Sequence, residues 1–515
     1  MQIIMGVSAS KLDAMLVGRV STVFALGRTG QLLSARDNAT LFQDSAGTTA
    51  VTAVEQPVGR ILDKSGRGNH ATQATTTKRP VLSGRVNLLT KTEQLVDAGW
   101  VRSSGVTVET GHVDPLGGAT GCLVTIPASG QIYILSADPR GSAVASVYLK
   151  LFTGAGAANV LVNSPNGQGY SVNFDPASLQ GAWSRLISPP SNTAVRNGFR
   201  FLNISASEAK FYAWGASLTL ATDAHLPYQR VNTATDYDTI GFPQYTKFDG
   251  IDDNYSTAAG GGGNTGIALC LGIQRNASGI AQTLWSDTTA DKGYRLRINA
   301  ANKLELAAGN GAPIATPVQA APVAATTGGT GLAASTAYFW KVTAANANGE
   351  TLGSAETTLT TSAGTTDSVT ISWAAIAGAT KYFVYRGTAT GAQNVYYDVG
   401  NVTSYVDTGA ASTAGSPPAL GESAYVKVAS VADVPTVPSV LTAWDDGTNM
   451  NVQINSDVVA SVARPAVSAG GAAITLGDKA NINLYSLSYT KNDGLSASDR
   501  FTLQRNAAVD AGVVL

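Results

Sequence analysis

Ala337–Ala345 (AYFWKVTAA) is followed closely by Asn348, Gly349 and Glu350. Aromatic and β-branched residues alternate along this run, which places successive side chains on opposite faces of a strand. Asn348-Gly349 reads as a two-residue hairpin turn, because Asn and Gly tolerate the positive φ such turns require. The same texture recurs at residues 145–151 (ASVYLKL), 294–298 (YRLRI) and 451–454 (NVQI). Each run is bounded by Gly, Pro, Asn or Asp. Short strands at this spacing, with no long helices between them, predict an all-β chain of sandwiches and jelly rolls. No heptad run or Gly-X-Y tract suggests a fibrous shaft.

Length and composition bound the function. At 515 residues, a prior of about 150 residues per domain predicts roughly three domains. Charged residues make up 13%, and 34 Lys+Arg against 35 Asp+Glu leave a net charge of −1. A nucleic-acid binder needs a basic stripe, so that class is not expected. The two cysteines, Cys122 and Cys270, form no disulfide framework and have no histidines at zinc spacing. The three histidines are His70, His112 and His225, and no hydrolase, zincin or P-loop motif accompanies them. His70 reads as a turn residue, and 260–263 (GGGG) as a loop without the Lys-Ser/Thr of a phosphate cradle. The chain is read as not an enzyme.

Residues 1–38 read as a short N-terminal helical segment. Leu12, Met15, Leu16, Val20, Val23 and Phe24 recur at spacings of three and four, giving one apolar face. That face either packs on the next domain or docks the chain onto a larger assembly. Lys11, Asp13 and Arg19 break any membrane-crossing run, and residues 1–5 lack the basic region of a secretory signal. No membrane partner is expected, and synthesis in a cytoplasm without a signal peptide is.

Three resemblances refine the domain plan. Between Pro313 and about Pro418 charges thin out and Pro/Thr/Gly stretches mark both ends. The strand before the N-G-E turn, 368–373 (SVTISW) and 382–386 (YFVYR) make this segment, 313–419, resemble a fibronectin type III module. Residues 86–93 (VNLLTKTE), Trp100 and 211–218 (FYAWGASL) resemble a carbohydrate-binding-module-like jelly roll of tailed-phage structural proteins, spanning 86–230. Residues 41–47 (LFQDSAG), 62–71 (LDKSGRGNHA) and 79–82 (RPVL) resemble the opening of a phage concanavalin A-like, laminin-G-like sandwich. Its F-D-G-x-D-D continuation comes only at 248–253, and its later hairpin and closing strand at 441–461 and 483–503. One discontinuous sandwich, 39–85 + 231–312 + 420–515, is thus expected to be interrupted by two inserted modules. Insertion at loop tips is tolerated, because closure entropy grows slowly with loop length.

The resemblances imply a bacteriophage virion structural protein, exposed on a tail, baseplate or fibre and contributing to host-surface or glycan attachment. A head or tail decoration protein without a specific ligand is one alternative, and a bacterial surface adhesin another. The implied partners are other virion proteins, reached through the N-terminal segment, a host-surface glycan, and further copies in a homo-oligomer.

Sugar-binding jelly rolls recognise apolar sugar faces with exposed aromatics. In the 86–230 module Trp100, Tyr133, Tyr170 and Trp183 are the candidate ligand-binding residues, with Tyr148 and Trp214 as further possible platforms. The alternation around Tyr212 and Trp214 puts both on one side of a strand, read here as the core side. Asp252, Asp253, Asp445 and Asp446 lie in Asp-rich turns and are candidate calcium ligands, calcium being the one cofactor considered. The competing reading is turn chemistry, since Asp stabilises turns through its own side chain.

Overall fold

The computed structural model describes residues 20, 22–24, 28–136, 142–165, 170–190, 198–224, 226–257, 266–328, 330–471, 473–491 and 495–515. His225, residues 260–263 and most of the expected N-terminal helix therefore lie outside the described residues. All strand pairings in the described residues are antiparallel, and the chain is all-β apart from short helical segments.

Two large sheets share one core. The first runs, in spatial order, through Ala460–Ala463, Asn449–Ile454, Ser439–Asp445, Ile267–Arg275, Ile482–Lys491, Tyr245–Lys247 and Val81–Ser83. The second includes Arg60–Ile61, Tyr255–Thr257, Gln282–Ser286, Lys292–Ile298, Lys303–Asn310 and Tyr425–Asp433. Leu269, Leu271, Leu441 and Leu487 of the first meet Trp285, Tyr294, Leu296 and Leu306 of the second, all buried. Face-to-face packing of antiparallel sheets explains the alternation of inward apolar and outward polar residues.

The chain leaves this sandwich between hydrogen-bonded neighbours. Val81–Ser83 pairs directly with Tyr245–Lys247, Ser83 opposite Tyr245, although more than 150 residues separate them. Lys303–Asn310 pairs with Tyr425–Asp433, Gly309 opposite Tyr425. The intervening chains build separate sheets. Residues from 101 to 220 form two five-stranded sheets around a core of Trp100, Val124, Ile132, Val147, Phe199, Phe201 and Phe211. Residues from 323 to 414 form sheets of three and five strands around Trp340, Val342, Val369, Ile371 and Tyr382.

Side chains bind the junctions. Gln229 Oε1 accepts from the Val86 and Asn87 amides at 2.8 and 3.0 Å, and its Nε2 donates to the Gly84 and Asp238 carbonyls. Asn87 donates to the carbonyls of Ala216 and Gln229 and accepts from the Leu89 and Leu218 amides. At the other junction Glu422 accepts from Arg295 at 2.7 Å and ion-pairs with Arg297 and Lys427. These cations hold its carboxyl below the usual glutamate range despite burial.

The structure corrects two local readings. Gly30–Ser34, placed with the N-terminal helical segment, is a strand paired with Ile482–Lys491. The turn after Ala345 is four residues long, not two. Ala345 bridges Glu350, and the Asn346 side chain accepts from the Asn348 and Gly349 amides. Val20, Val23 and Phe24 are helical, buried and packed with Cys270, Trp444 and Leu503, so this end of the apolar face is used within the chain.

A C-terminal helix, Ala497–Ala511, lies on the outer face of the first sheet. A capping box of Ser496 and Asp499 starts it and left-handed Gly512 ends it. Gly272 admits this contact: a Cβ there would come within 2.7 Å of the Ala507 carbonyl oxygen. Among the described residues, no helix is long and apolar enough to cross a membrane.

Candidate functional site: an uncovered aromatic face

One sheet of the 101–220 unit is ordered Ser184–Ile187, Ala143–Leu151, Ala209–Leu220, Gly121–Ile126, Thr107–His112. Its inward face supplies Val147, Leu149, Phe211, Ala213, Cys122 and Val124 to the core. Alternation sends Tyr148, Lys150, Lys210, Tyr212 and Trp214 outward. Register sets Lys150 beside Tyr212 and Tyr148 beside both Trp214 and Arg185.

A bulge governs which residues point outward. The pairing slips between Ser146 and Tyr148, opposite Gly215, which has φ +66°. Beyond it Ala216 and Leu218 face the core, whereas before it Phe211 and Ala213 do. A left-handed glycine of this kind inserts one extra residue and resets the alternation. Tyr212 and Trp214 are thereby outside the module core, which corrects their assignment to the core side.

The chain leaving the module covers half of this outer face. Tyr228 stacks edge-on against Trp214 at 4.7 Å, and Tyr148 meets Trp214 at 5.4 Å. Trp214 Nε1 donates to Thr120 Oγ1 at 2.7 Å, and Arg185 donates to the Leu226 carbonyl. Trp214 is consequently only 3% exposed. Tyr228 donates to Glu93, whose carboxyl burial pushes upward.

The other half remains half-buried rather than covered. Tyr212 is at its centre, with His112 at 5.0 Å, Phe152 at 5.9 Å and Trp183 at 6.5 Å between ring centroids. Lys150 Nζ stands 6.0 Å from the Trp183 ring and 5.7 Å from the Tyr212 ring, and Lys210 Nζ 4.6 Å from Phe152. Trp183 Nε1 and His112 Nε2 are themselves buried and have no hydrogen-bond partner among the described residues. The half-buried ring faces are suited to a molecule with an apolar face.

The four candidate ligand residues separate. Trp100 is 2% exposed, its Nε1 donating to the Lys91 carbonyl and its ring edge-on to Phe199. Tyr170 is also 2% exposed and donates to the Gly198 carbonyl. Neither presents a ring to solvent, so both are corrected to core residues. Tyr133, half-buried, lies on the opposite sheet beside Arg200. Only Trp183 belongs to the uncovered cluster.

The four acidic candidates have protein partners. Asp445 is fully buried. Its Oδ2 accepts from Tyr294 and from Arg464 Nε at 2.6 Å, and its Oδ1 from the Gly447 amide. Asp446 accepts from the Thr448 and Asn449 amides and from Asn451 Nδ2. Asp253 accepts from the Asp249 amide, and burial pushes its carboxyl up to about 6. Asp252 pairs with Lys78 at 3.8 Å. The contacts of Asp253, Asp445 and Asp446 are those expected of aspartates that stabilise their own turns. Among the described residues no three His, Cys, Asp or Glu gather as a metal set. His70 Nδ1 accepts from the Asp63 amide at 2.9 Å, fixing its turn, and burial lowers its basicity.

No family profile matches the chain, and no curated protein does. Among solved structures it is similar to the N-terminal CBM22-1–CBM22-2 tandem domain of Paenibacillus barcinonensis Xyn10C. That match is at 11% identity, covers 63% of this chain and 97% of that one, and has a TM-score of 0.21. It is also similar to domains LG4–5 of the mouse laminin α1 chain, at 8% identity, 76% and 89% coverage and a TM-score of 0.16. At these scores the similarities carry no functional argument, and the reading rests on the residues.

The sequence reads Tyr212 as a core-side residue and gives His112 no role, and nothing in it singles out Lys150, Phe152 or Lys210. The usable signal was Gly215 within 214–218 (WGASL), since a glycine inside a strand marks a bulge and hence a change of face.

Proposed function

We propose that this chain is a glycan-binding structural protein whose contact surface is the uncovered half of the outer sheet face. Trp183, Tyr212 and Phe152 form the stacking surface. The observation that carries this reading is an aromatic cluster outside the core that the exiting chain leaves bare while covering its neighbour Trp214.

The setting we propose is the outside of a tailed-phage particle, at a tail, baseplate or fibre, with homo-oligomeric assembly and docking through the N-terminal segment. This rests on the resemblance of residues 41–82 and 248–253.

A glycan array probed with the full chain tests the binding surface. Wild type is expected to capture at least one polysaccharide. Trp183→Ala and Tyr212→Ala are expected to lose it, while Tyr133→Ala on the opposite sheet keeps it. Capture that survives Trp183→Ala overturns the assignment. Antibody labelling of intact particles tests the setting, and absence of the chain from particles removes it.

A further inference from the structure

We infer that the ligand class of this face is an acidic, carboxylate-bearing polysaccharide, read by Lys150 with support from Lys210. The inference rests on the proposed glycan-binding role of the face and adds its charge preference.

Lys150 stands at the middle of the aromatic cluster, opposite Tyr212 in the register, with its ammonium facing the Trp183 and Tyr212 rings. Lys210 sits at Phe152 in the same way. Among the described residues neither lysine forms an ion pair with a carboxylate. Lys64, Lys78, Lys91, Lys303, Lys381 and Lys427 each form one, and what distinguishes Lys150 and Lys210 from the other unpaired lysines is their place at the aromatic cluster. Arg185, held by Ser146 Oγ and the Leu226 carbonyl, belongs to the covered half of the sheet and not to this cluster.

The nearby acids do not cancel this charge. Glu109 shares a cross-sheet row with Leu123, Tyr212 and Lys150, which puts it three strand spacings from Lys150, or about 14 Å. Glu208 is exposed just before the strand that carries Lys210 and pairs with neither lysine. With a net charge of −1 for the whole chain, no general positive field steers anions to the surface. The attraction must therefore be local.

An ammonium over a ring takes part of the surface on which a neutral sugar would stack, and a neutral sugar offers it hydroxyl oxygens but no opposite charge. A uronic acid supplies both features at once: an apolar ring face for Trp183 or Tyr212, and a carboxylate for the ammonium beside it.

The test uses full-length protein and acidic polysaccharides, namely polygalacturonate, alginate and hyaluronate. Each is paired with its carboxyl-reduced form, so that charge alone differs. At least one acidic polymer is expected to bind roughly tenfold or more tightly than its reduced partner. The preference is expected to shrink at high salt, where exposed charges are screened. Lys150→Gln is expected to remove the preference and leave the weaker neutral binding, whereas Trp183→Ala removes both. Equal binding of acidic and reduced forms, or a preference that survives Lys150→Gln, overturns the inference while the glycan-binding role stands. Failure of every polymer, acidic and reduced, to bind wild type overturns the inference, and absence of capture on the glycan array as well overturns the glycan-binding role. Circular dichroism of both variants establishes that any loss is not unfolding.

Discussion

Asn87 and Gln229 bond each other across the base of the 86–230 segment: the Asn87 amide N–H donates to Gln229 Oε1, and Asn87 Nδ2 donates to the Gln229 carbonyl, both at 3.0 Å. Both residues are at most 1% exposed. The motif residues that mark the start and end of the module are therefore a clasp, not a contact surface for a ligand.

That clasp has a measurable consequence. Gln229→Ala leaves the Val86 and Asn87 amides and the Gly84 and Asp238 carbonyls without their side-chain partner. Each buried polar group left unpaired costs about 1–3 kcal/mol, and water entering the junction recovers some of it. The expected result is a loss of roughly 2–4 kcal/mol, with faster protease cleavage near residues 84–92 and 226–238. Cleavage at the wild-type rate contradicts the clasp.

Gly215 makes the second prediction. Its φ of +66° is left-handed, and a Cβ there would meet the Tyr228 ring at 3.3 Å. Gly215→Ala is expected to cost about 1–3 kcal/mol. The urea midpoint should fall with the slope unchanged. Because the bulge decides that Tyr212 faces outward, glycan capture should weaken as well. Unchanged stability means the strand accommodates a side chain there, and the bulge is not fixed by this residue.

These positions also show how far the residues could be read in advance. Alternation in Ala337–Ala345 announces a strand because one side of each such strand is buried and the other is not. Gly30–Ser34 gives no such signal: all five residues are buried, so its run GQLLS has no polar face to betray it. At Tyr212 the alternation is real, but the bulge at Gly215 exchanges the faces partway along the strand. Trp100 and Tyr170 were offered as sugar platforms because a large aromatic ring serves a core and a binding face equally well. Only the covering elements distinguish the two, and these come from distant sequence. The turn aspartates were ambiguous for a related reason. An Asp-Gly turn looks alike whether its carboxylate meets backbone amides or a cation, and Arg464, nineteen residues from Asp445, decides the case.

Asp445 yields the third prediction. The carboxylate is fully buried between Arg464 and Tyr294 and joins the two sheets of the large sandwich. Removing one member of a buried pair is costly because the other charge loses its partner. Asp445→Ala is expected to lower stability by about 3 kcal/mol, moderated by the partial exposure of Arg464. A chelator is expected to leave the wild-type melting temperature unchanged, since Arg464 already occupies the carboxylate. A drop in melting temperature on chelation, restored by calcium, would refute this account of the turn.

The last prediction concerns pH. Burial pushes the carboxyls of Asp253 and Asp510 each up to about 6, from an ordinary value of 3.8. Asp253 lies under the 248–253 turn, and Asp510 under the C-terminal helix near Ser34 and Ser486. The folded chain holds these protons more tightly than the unfolded one. Between about pH 4 and pH 6 folding therefore takes up protons, and both groups make stability fall as pH rises through that window. Asp253→Asn and Asp510→Asn remove the burden of burying a charge. Each is expected to be more stable than wild type at pH 7 by on the order of 1–2 kcal/mol. The gain should shrink as pH falls and vanish below about pH 4, where the wild-type carboxyls are protonated in both states. Urea midpoints of the three proteins at pH 4, 5, 6 and 7, taken as differences from wild type, isolate these two groups from every other carboxylate. A difference that stays constant across the series would mean that neither group titrates in this range and that both are ionised in the folded chain.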